Sequence, residues 1–122
     1  MKKQTAVVLE HKEITGGYRV IRLEVPRIAS ASRPGQFVHI RIPNLDSAVL
    51  RRPFSLFDAR KGNISILYKV VGKGTKALAD VQPGGAVSVI GPLGNGFPSP
   101  DSGCLPVLVA GGYGVAPLTF LA

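Results

Sequence analysis

Three segments in the first ninety residues alternate apolar and polar side chains with a period of two, each announced by a glycine turn. After Gly16-Gly17, Ile21, Leu23 and Val25 alternate with Arg22 and Glu24. After Pro34-Gly35, Val38, Ile40 and Ile42 alternate with Phe37, His39 and Arg41. After Lys61-Gly62-Asn63 the apolar set is Ile64, Ile66, Tyr68 and Val70. Successive side chains of a strand point to opposite faces, so this pattern builds strands with one buried and one solvated face. Two further runs, one at the start and one after Pro83-Gly84-Gly85, complete the set. The pattern thus predicts antiparallel strands over residues 4–10, 18–25, 36–42, 64–70 and 86–90. Strands at this spacing, separated by turn residues, favour a small closed barrel over an open sheet. Helix is scarce, with residues 75–80 a short candidate.

Composition removes several function classes. With 122 residues, 45% of them hydrophobic, the chain is not disordered. It can bury roughly 65% of the surface its unfolded form exposes. No window approaches the ~18 apolar residues of a membrane helix. Met1-Lys2-Lys3 is followed by an apolar run too short for a signal-peptide core. One cysteine and two histidines supply neither a disulfide framework nor a metal-ligand set. A cytoplasmic protein without membrane contact is the expectation.

The net charge of +8 is unevenly spread. Residues 1–76 carry all fifteen basic side chains against five acidic ones, whereas residues 77–122 carry only Asp80 and Asp101. A basic half suits nucleic acid, a phosphate-bearing cofactor or an acidic protein face, or simply keeps the surface solvated. Nucleic acid is the weakest of these, because five Phe and three Tyr without Trp form no clustered stacking platform.

The character changes after residue 97. Pro98-Ser99-Pro100-Asp101-Ser102-Gly103 has linker composition. Residues 105–110 form a continuous apolar run, the look of a parallel strand buried on both faces. The run enters Gly111-Gly112-Tyr113-Gly114 and then a helix-like stretch over residues 115–122, with Pro117 tolerable in a first turn. Strand, glycine-rich turn and helix open a nucleotide-binding βαβ unit. Neither a second strand nor an acidic residue ~20 positions on follows to hold a ribose. The expected organisation is therefore a barrel over residues 1–97, a linker over 98–104 and the first piece of a truncated α/β domain over 105–122.

The seven carboxylates are scattered, Ser55 has no local base, and His11 and His39 sit within strand-like text. Chemistry, if present, comes from a bound cofactor. Three segments are candidates to hold one. Arg51-Arg52-Pro53-Phe54-Ser55-Leu56 places a guanidinium fork and a hydroxyl on one extended stretch, and the fork suits a diphosphate. Gly72-Lys73-Gly74-Thr75 gives close backbone approach and free N–H groups at a helix start, with Thr75 equally able to cap that helix. Gly91-Pro92-Leu93-Gly94-Asn95-Gly96-Phe97 has three glycines in six residues, or is a surface turn.

Taken in order, Arg-Pro-Phe-Ser, Leu-Tyr-Lys-Val-Val-Gly-x-Gly-Thr, Gly-Pro-Leu-Gly-Asn-Gly-Phe and Val-Ala-Gly-Gly-x-Gly-Val-Ala-Pro-Leu resemble the ferredoxin-NADP⁺ reductase-like flavoproteins. More narrowly, they resemble the electron-transfer subunits of dihydroorotate dehydrogenase B, while ferredoxin:NADP⁺ oxidoreductase and sulfide dehydrogenase subunits remain alternatives. The resemblance implies an all-β, six-stranded antiparallel Greek-key barrel binding FAD, then a nicotinamide-nucleotide domain and cysteines holding a 2Fe–2S cluster. It assigns Arg52 to the FAD diphosphate and Ser55 to the flavin near N5, with Pro53 and Phe54 on the same stretch. Leu67, Tyr68 and Lys69 would line the flavin and ribityl region, Gly74 and Thr75 would hold phosphate, and Gly111, Gly112 and Gly114 would begin the pyridine-nucleotide loop. The implied partner is an FMN-containing catalytic dihydroorotate dehydrogenase subunit in a heterotetramer, whose electrons pass through the cluster and FAD to NAD⁺ in pyrimidine biosynthesis. Cys104 is not one of the cluster cysteines, and NAD and the cluster are expected only in a longer chain.

Overall fold

A computed structural model describes residues 1–43 and 50–122. Seven strands form one antiparallel sheet: β1 (Lys2–Glu13), β2 (Tyr18–Glu24), β3 (Phe37–Arg41), β4 (Arg52–Ser55), β5 (Asp58–Arg60), β6 (Asn63–Lys69) and β7 (Ala86–Leu93). Their order across the sheet is β4-β3-β7-β1-β2-β6-β5. The two outermost strands, β4 and β5, are separated in sequence only by Leu56 and Phe57. A sheet whose opposite edges are joined by two residues must curl on itself, which gives a curled half-barrel where the strand spacing predicted a small closed barrel.

The same corner explains the count of seven strands where six were expected. One extended stretch changes partners at its middle. Arg52–Ser55 pairs with β3, whereas Asp58–Arg60 pairs with β6. At the corner, Leu56 N–H reaches the Gln36 carbonyl at 3.3 Å and Phe57 N–H reaches the Ser65 carbonyl at 2.9 Å. The Leu56 side chain is wholly buried and pins the bend.

The alternation read from sequence sets the register. Ile21 faces Ile66 and Leu23 faces Ile64 across β2 and β6. All four belong to the core, with Ala6, Val8, Val38, Ile40, Val87 and Val89 from the other strands. Pro53 lies on an edge strand, where its missing N–H removes no ladder bond.

Among the described residues three helices decorate the sheet: α1 (Pro26–Ala31), α2 (Lys73–Ala79) and α3 (Val115–Leu121). The sequence patterning passes over α1. It begins with Pro26 in its first turn, buries Ile28, and is tied to β1 by Ile28 N–H donating to Gln4 Oε1 at 3.1 Å. The α3 helix buries Ala116 and rests Phe120 against the core.

The expected strand over residues 105–110 does not form. That stretch has no regular structure, and Leu105, Val107 and Val109 are 88%, 80% and 84% exposed. Among the described residues no strand pairs with it. Pro106 also removes an amide that a central strand needs.

Candidate functional site

The first two candidate segments meet. Strand β4 carries Arg52, Pro53, Phe54 and Ser55, while the end of β6 and the first turn of α2 carry Tyr68, Lys69, Gly74 and Thr75. Between them lies a cleft of about 340 Å³ lined by Pro53, Phe54, Ser55, Tyr68, Lys69, Val71, Thr75, Gly114 and Pro117. A second hollow of about 330 Å³ continues it, sharing Pro53, Phe54, Val71 and Thr75 and adding Arg52, Lys73 and Gly74. Residues about twenty positions apart thus line one continuous groove, whose aromatic wall is Phe54 edge-on to Tyr68 at 6.0 Å.

The basic end of the groove depends on Gly74. A Cβ on that residue would lie 2.9 Å from Arg52 Nε, so the Arg52 side chain lies across the start of α2 only because no side chain stands there. Arg52 has no ion pair among the described residues, nor does the exposed Ser55 hydroxyl have a hydrogen bond among them.

Thr75 stands three residues inside the helix, not at its cap. Gly72 is the N-cap. The Thr75 hydroxyl accepts the Val71 and Gly72 N–H groups at 2.8 and 3.0 Å and donates to the Gly72 carbonyl at 3.2 Å. This is half of a capping box, because glycine has no side chain to reciprocate. Both hydroxyl lone pairs are taken, so Thr75 has only its proton to offer a ligand, by giving up the longest of its three bonds.

Beneath the aromatic wall lies a polar chain that sequence reasoning missed. His11 Nδ1 sits 2.8 Å from the Val81 carbonyl, which can only accept, so the proton is on Nδ1. Nε2 is then an acceptor and receives the Tyr68 hydroxyl at 2.6 Å and Arg19 Nε–H at 3.3 Å. Burial, with a smaller contribution from Arg19, lowers the His11 pKa below its ordinary 6.5 against the opposing Val81 bond. Burial pushes the Tyr68 phenol up to about 12. Both groups are therefore neutral near pH 7. No local signal in the sequence marks His11, because its partners lie 57 and 70 residues away.

The remaining expected residues divide. Gly114 lines the cleft, but Leu67, Gly111 and Gly112 line neither hollow. Leu67 falls between Ile66 and Tyr68 in the strand alternation and so points to the opposite face. Gly112 lies against the rim instead: a Cβ there would be 3.3 Å from the Tyr18 hydroxyl oxygen, and the Tyr18 ring lies beneath Lys69 Nζ at 5.4 Å. The third candidate segment also lines neither hollow. Its Phe97 N–H donates to the Pro34 carbonyl at 2.8 Å and its Gly94 carbonyl accepts Gln36 Nε2 at 3.0 Å. Its glycines serve close packing on residues 33–38, where a Cβ on Gly91 would meet Val38 Cγ1 at 2.7 Å and one on Gly94 the Phe37 ring at 2.9 Å.

Residues 5–97 match the family described as the oxidoreductase FAD-binding domain. The chain belongs to that family. Within the FAD-binding domain family, it is 40% identical over 122 residues to a Bacillus cereus protein named dihydroorotate dehydrogenase B (NAD(+)), electron transfer subunit, covering 97% of this chain and 47% of the relative. The protein of the same name from Desulforamulus reducens is 44% identical over 103 residues, covering 83% of this chain and 39% of the relative. The chain thus spans about half the length of the curated relatives it matches. Among solved structures, the Amycolatopsis cytochrome P450 reductase superposes with a TM-score of 0.79 at 30% identity, covering 97% of this chain and 37% of the reductase.

Proposed function

We propose that this chain holds FAD in the groove between β4 and the β6–α2 turn. In this reading it is the flavin-bearing part of an electron-transfer subunit. The observation that carries the reading is the convergence of Arg52 and Ser55 with Tyr68, Lys69 and Gly74 along one groove. The groove fits a flavin dinucleotide in kind. Arg52, free of an ion pair among the described residues, matches a diphosphate, and the Gly74 cradle admits a phosphate close to backbone. Phe54 and Tyr68 give an apolar wall for a ring, and Ser55 gives that ring's polar edge a hydroxyl. Bound FAD would supply the redox chemistry, exchanging electron pairs with a nicotinamide and single electrons with an iron–sulfur cluster. The protein's share is to bind, orient and shield it. Lys69 and Lys73 add positive charge at the two ends of the groove.

The names of its relatives, dihydroorotate dehydrogenase B (NAD(+)) electron transfer subunits, support a dihydroorotate dehydrogenase partner and NAD⁺ as the final acceptor. In the assembly we propose, that partner is the FMN-carrying catalytic subunit and the complex is a heterotetramer. Residues 1–97 are then the FAD barrel, 98–104 a linker, and 105–122 the opening of a nicotinamide-nucleotide domain beginning its loop with Gly111, Gly112 and Gly114. A 2Fe–2S cluster belongs to the longer subunit, in the cytoplasm.

Titrating the protein with FAD tests the core of this reading, with flavin absorbance and quenched flavin fluorescence as the signals. Arg52→Ala removes a charged hydrogen-bond donor and is expected to weaken binding by about 1.5–3 kcal/mol, roughly 10- to 150-fold. An unchanged titration would show that Arg52 has another role. A protein that ignores FAD and binds single-stranded DNA with strong salt dependence would overturn the flavin reading.

A further inference from the structure

The polar chain beneath the cleft joins its two sides. Tyr68, on β6, forms part of the aromatic wall against Phe54. Val81 follows Asp80, the C-cap of α2, whose other end carries Gly74 and Thr75. His11, on β1, touches both: its Nδ1–H donates to the Val81 carbonyl at 2.8 Å and its Nε2 accepts the Tyr68 hydroxyl at 2.6 Å. These bonds use both ring nitrogens, and because Arg19 Nε–H also points at Nε2 at 3.3 Å, Nε2 is an acceptor and the ring a neutral imidazole with its proton on Nδ1.

We propose that His11 is a positioning residue for the cofactor groove, a brace that holds Tyr68 and the α2 segment at a fixed separation only while its ring is neutral. The inference rests on the FAD reading of that groove. Protonation puts a hydrogen on Nε2, where Tyr68 O–H and Arg19 Nε–H already point. The Tyr68 bond can then survive only with donor and acceptor exchanged. The Arg19 Nε–H loses its acceptor and its guanidinium faces a second cation, which drives the two side chains apart. Two charged groups act on the brace, and on Tyr68 they act in opposite directions, Arg19 lowering its pKa and Asp80 raising it. Arg19 from β2 opposes a charged His11, and Asp80 at the end of α2 acts on Tyr68. The phenol does not ionise in the working range, so it remains a donor throughout. The sign follows: the braced form is fully populated above the imidazole's ordinary pKa of 6.5 and is lost as pH falls through the lower value in the folded protein.

The test is the FAD dissociation constant of the full 122-residue chain, measured from about pH 8 to about pH 5, a span in which imidazole is the titrating side chain. Wild-type affinity is expected to be flat near pH 8 and to fall in acid. The fall reaches at most about tenfold per pH unit below the His11 pKa, because only the neutral fraction is competent. His11→Asn keeps a donor for Val81 but does not reach Tyr68, and is expected to bind more weakly at every pH with no acid fall. His11→Gln puts an amide oxygen near the Nε2 position, restores the Tyr68 bond, and is expected to recover affinity at pH 7 while staying flat in acid. Tyr68→Phe keeps the ring, cuts the same bond and should also lose the acid fall.

A wild-type protein that binds FAD equally well across the range overturns the brace and leaves the FAD reading standing. So does a His11→Gln protein that keeps the wild-type slope, since the slope would then arise from a group other than His11. Failure of the wild-type chain to bind FAD at any of these pH values removes the FAD reading, and the inference with it.

Discussion

Strand β6 and the run over residues 105–110 look alike as text, and the run is the more apolar of the two. Asn63-Ile64-Ser65-Ile66-Leu67-Tyr68-Lys69 alternates, whereas Leu105-Pro106-Val107-Leu108-Val109-Ala110 is apolar throughout. Their fates are opposite. β6 pairs along its whole length with β2, pairs again with β5, and buries Ile64 and Ile66 completely. The run has no ladder among the described residues and exposes Leu105, Val107 and Val109. Apolar content alone therefore does not make a strand. A strand also needs hydrogen-bond partners on its edges and a surface to receive its side chains. Alternation is the more informative signal because it encodes both requirements, one face for a core and one for water. A continuous run encodes only the demand for neighbours.

The largest expected effect of this difference is on amide exchange. The amides of Ile64, Ile66 and Tyr68 open only with the barrel, so they should be protected by about a thousandfold or more, the protection that a domain stability of about 5 kcal/mol confers. Val107, Leu108 and Val109 should exchange near the rate of an unstructured peptide. Hydrogen exchange read by NMR decides this, and equal protection in the two segments would show the run paired in solution. Truncation gives the next effect. Ile66→Ala should cost about 2–5 kcal/mol, as large-to-small changes in a filled core do. Val107→Ala should fall within about 0.5 kcal/mol of the parent protein. Denaturant melts measure both, and a comparable loss at Val107 would break the contrast.

The same logic marks how far the sequence carried. Where a side chain's environment is set by its strand neighbours two positions away, as for Ile21, Leu23, Ile64 and Ile66, period and turn residues placed it on the buried face. Within the candidate groove, Arg52, Ser55 and Gly74 stood out by residue type and spacing, whereas Tyr68 came only from the family resemblance. What was not legible depended on distance or on a change of partner. His11 takes its role from Val81 and Tyr68, residues that only the folded sheet brings near. The corner at Leu56 and Phe57 is one extended stretch serving two neighbours, which no local pattern announces. The glycines of residues 91–97 suggested ligand contact, but a missing side chain admits protein as readily as phosphate, and here it admits Phe37. The α1 helix is six residues long, too short for a 3.6-residue period to emerge, and its only mark is Pro26.

The smallest effect sharpens the comparison from within the C-terminal segment itself. The exposed run leads into a 3₁₀ turn over Gly112–Gly114 and then into α3, which is anchored by Ala116 and Phe120 on the barrel. Gly112 holds φ at +56°, where a residue with a side chain costs about 1–2 kcal/mol. The added methyl would also press on the Tyr18 hydroxyl at 3.3 Å, a contact that the ring can relieve by a small tilt. If the turn and α3 open as a unit separate from the sheet, Gly112→Ala should speed exchange of the α3 amides by about five- to thirtyfold, the equivalent of that penalty, and leave β6 unchanged. Faster exchange in both would mean that α3 is part of the barrel's cooperative unit. In that case the boundary between firmly and loosely held chain lies before the run and again after it, with residues 105–110 a loop between two anchored pieces.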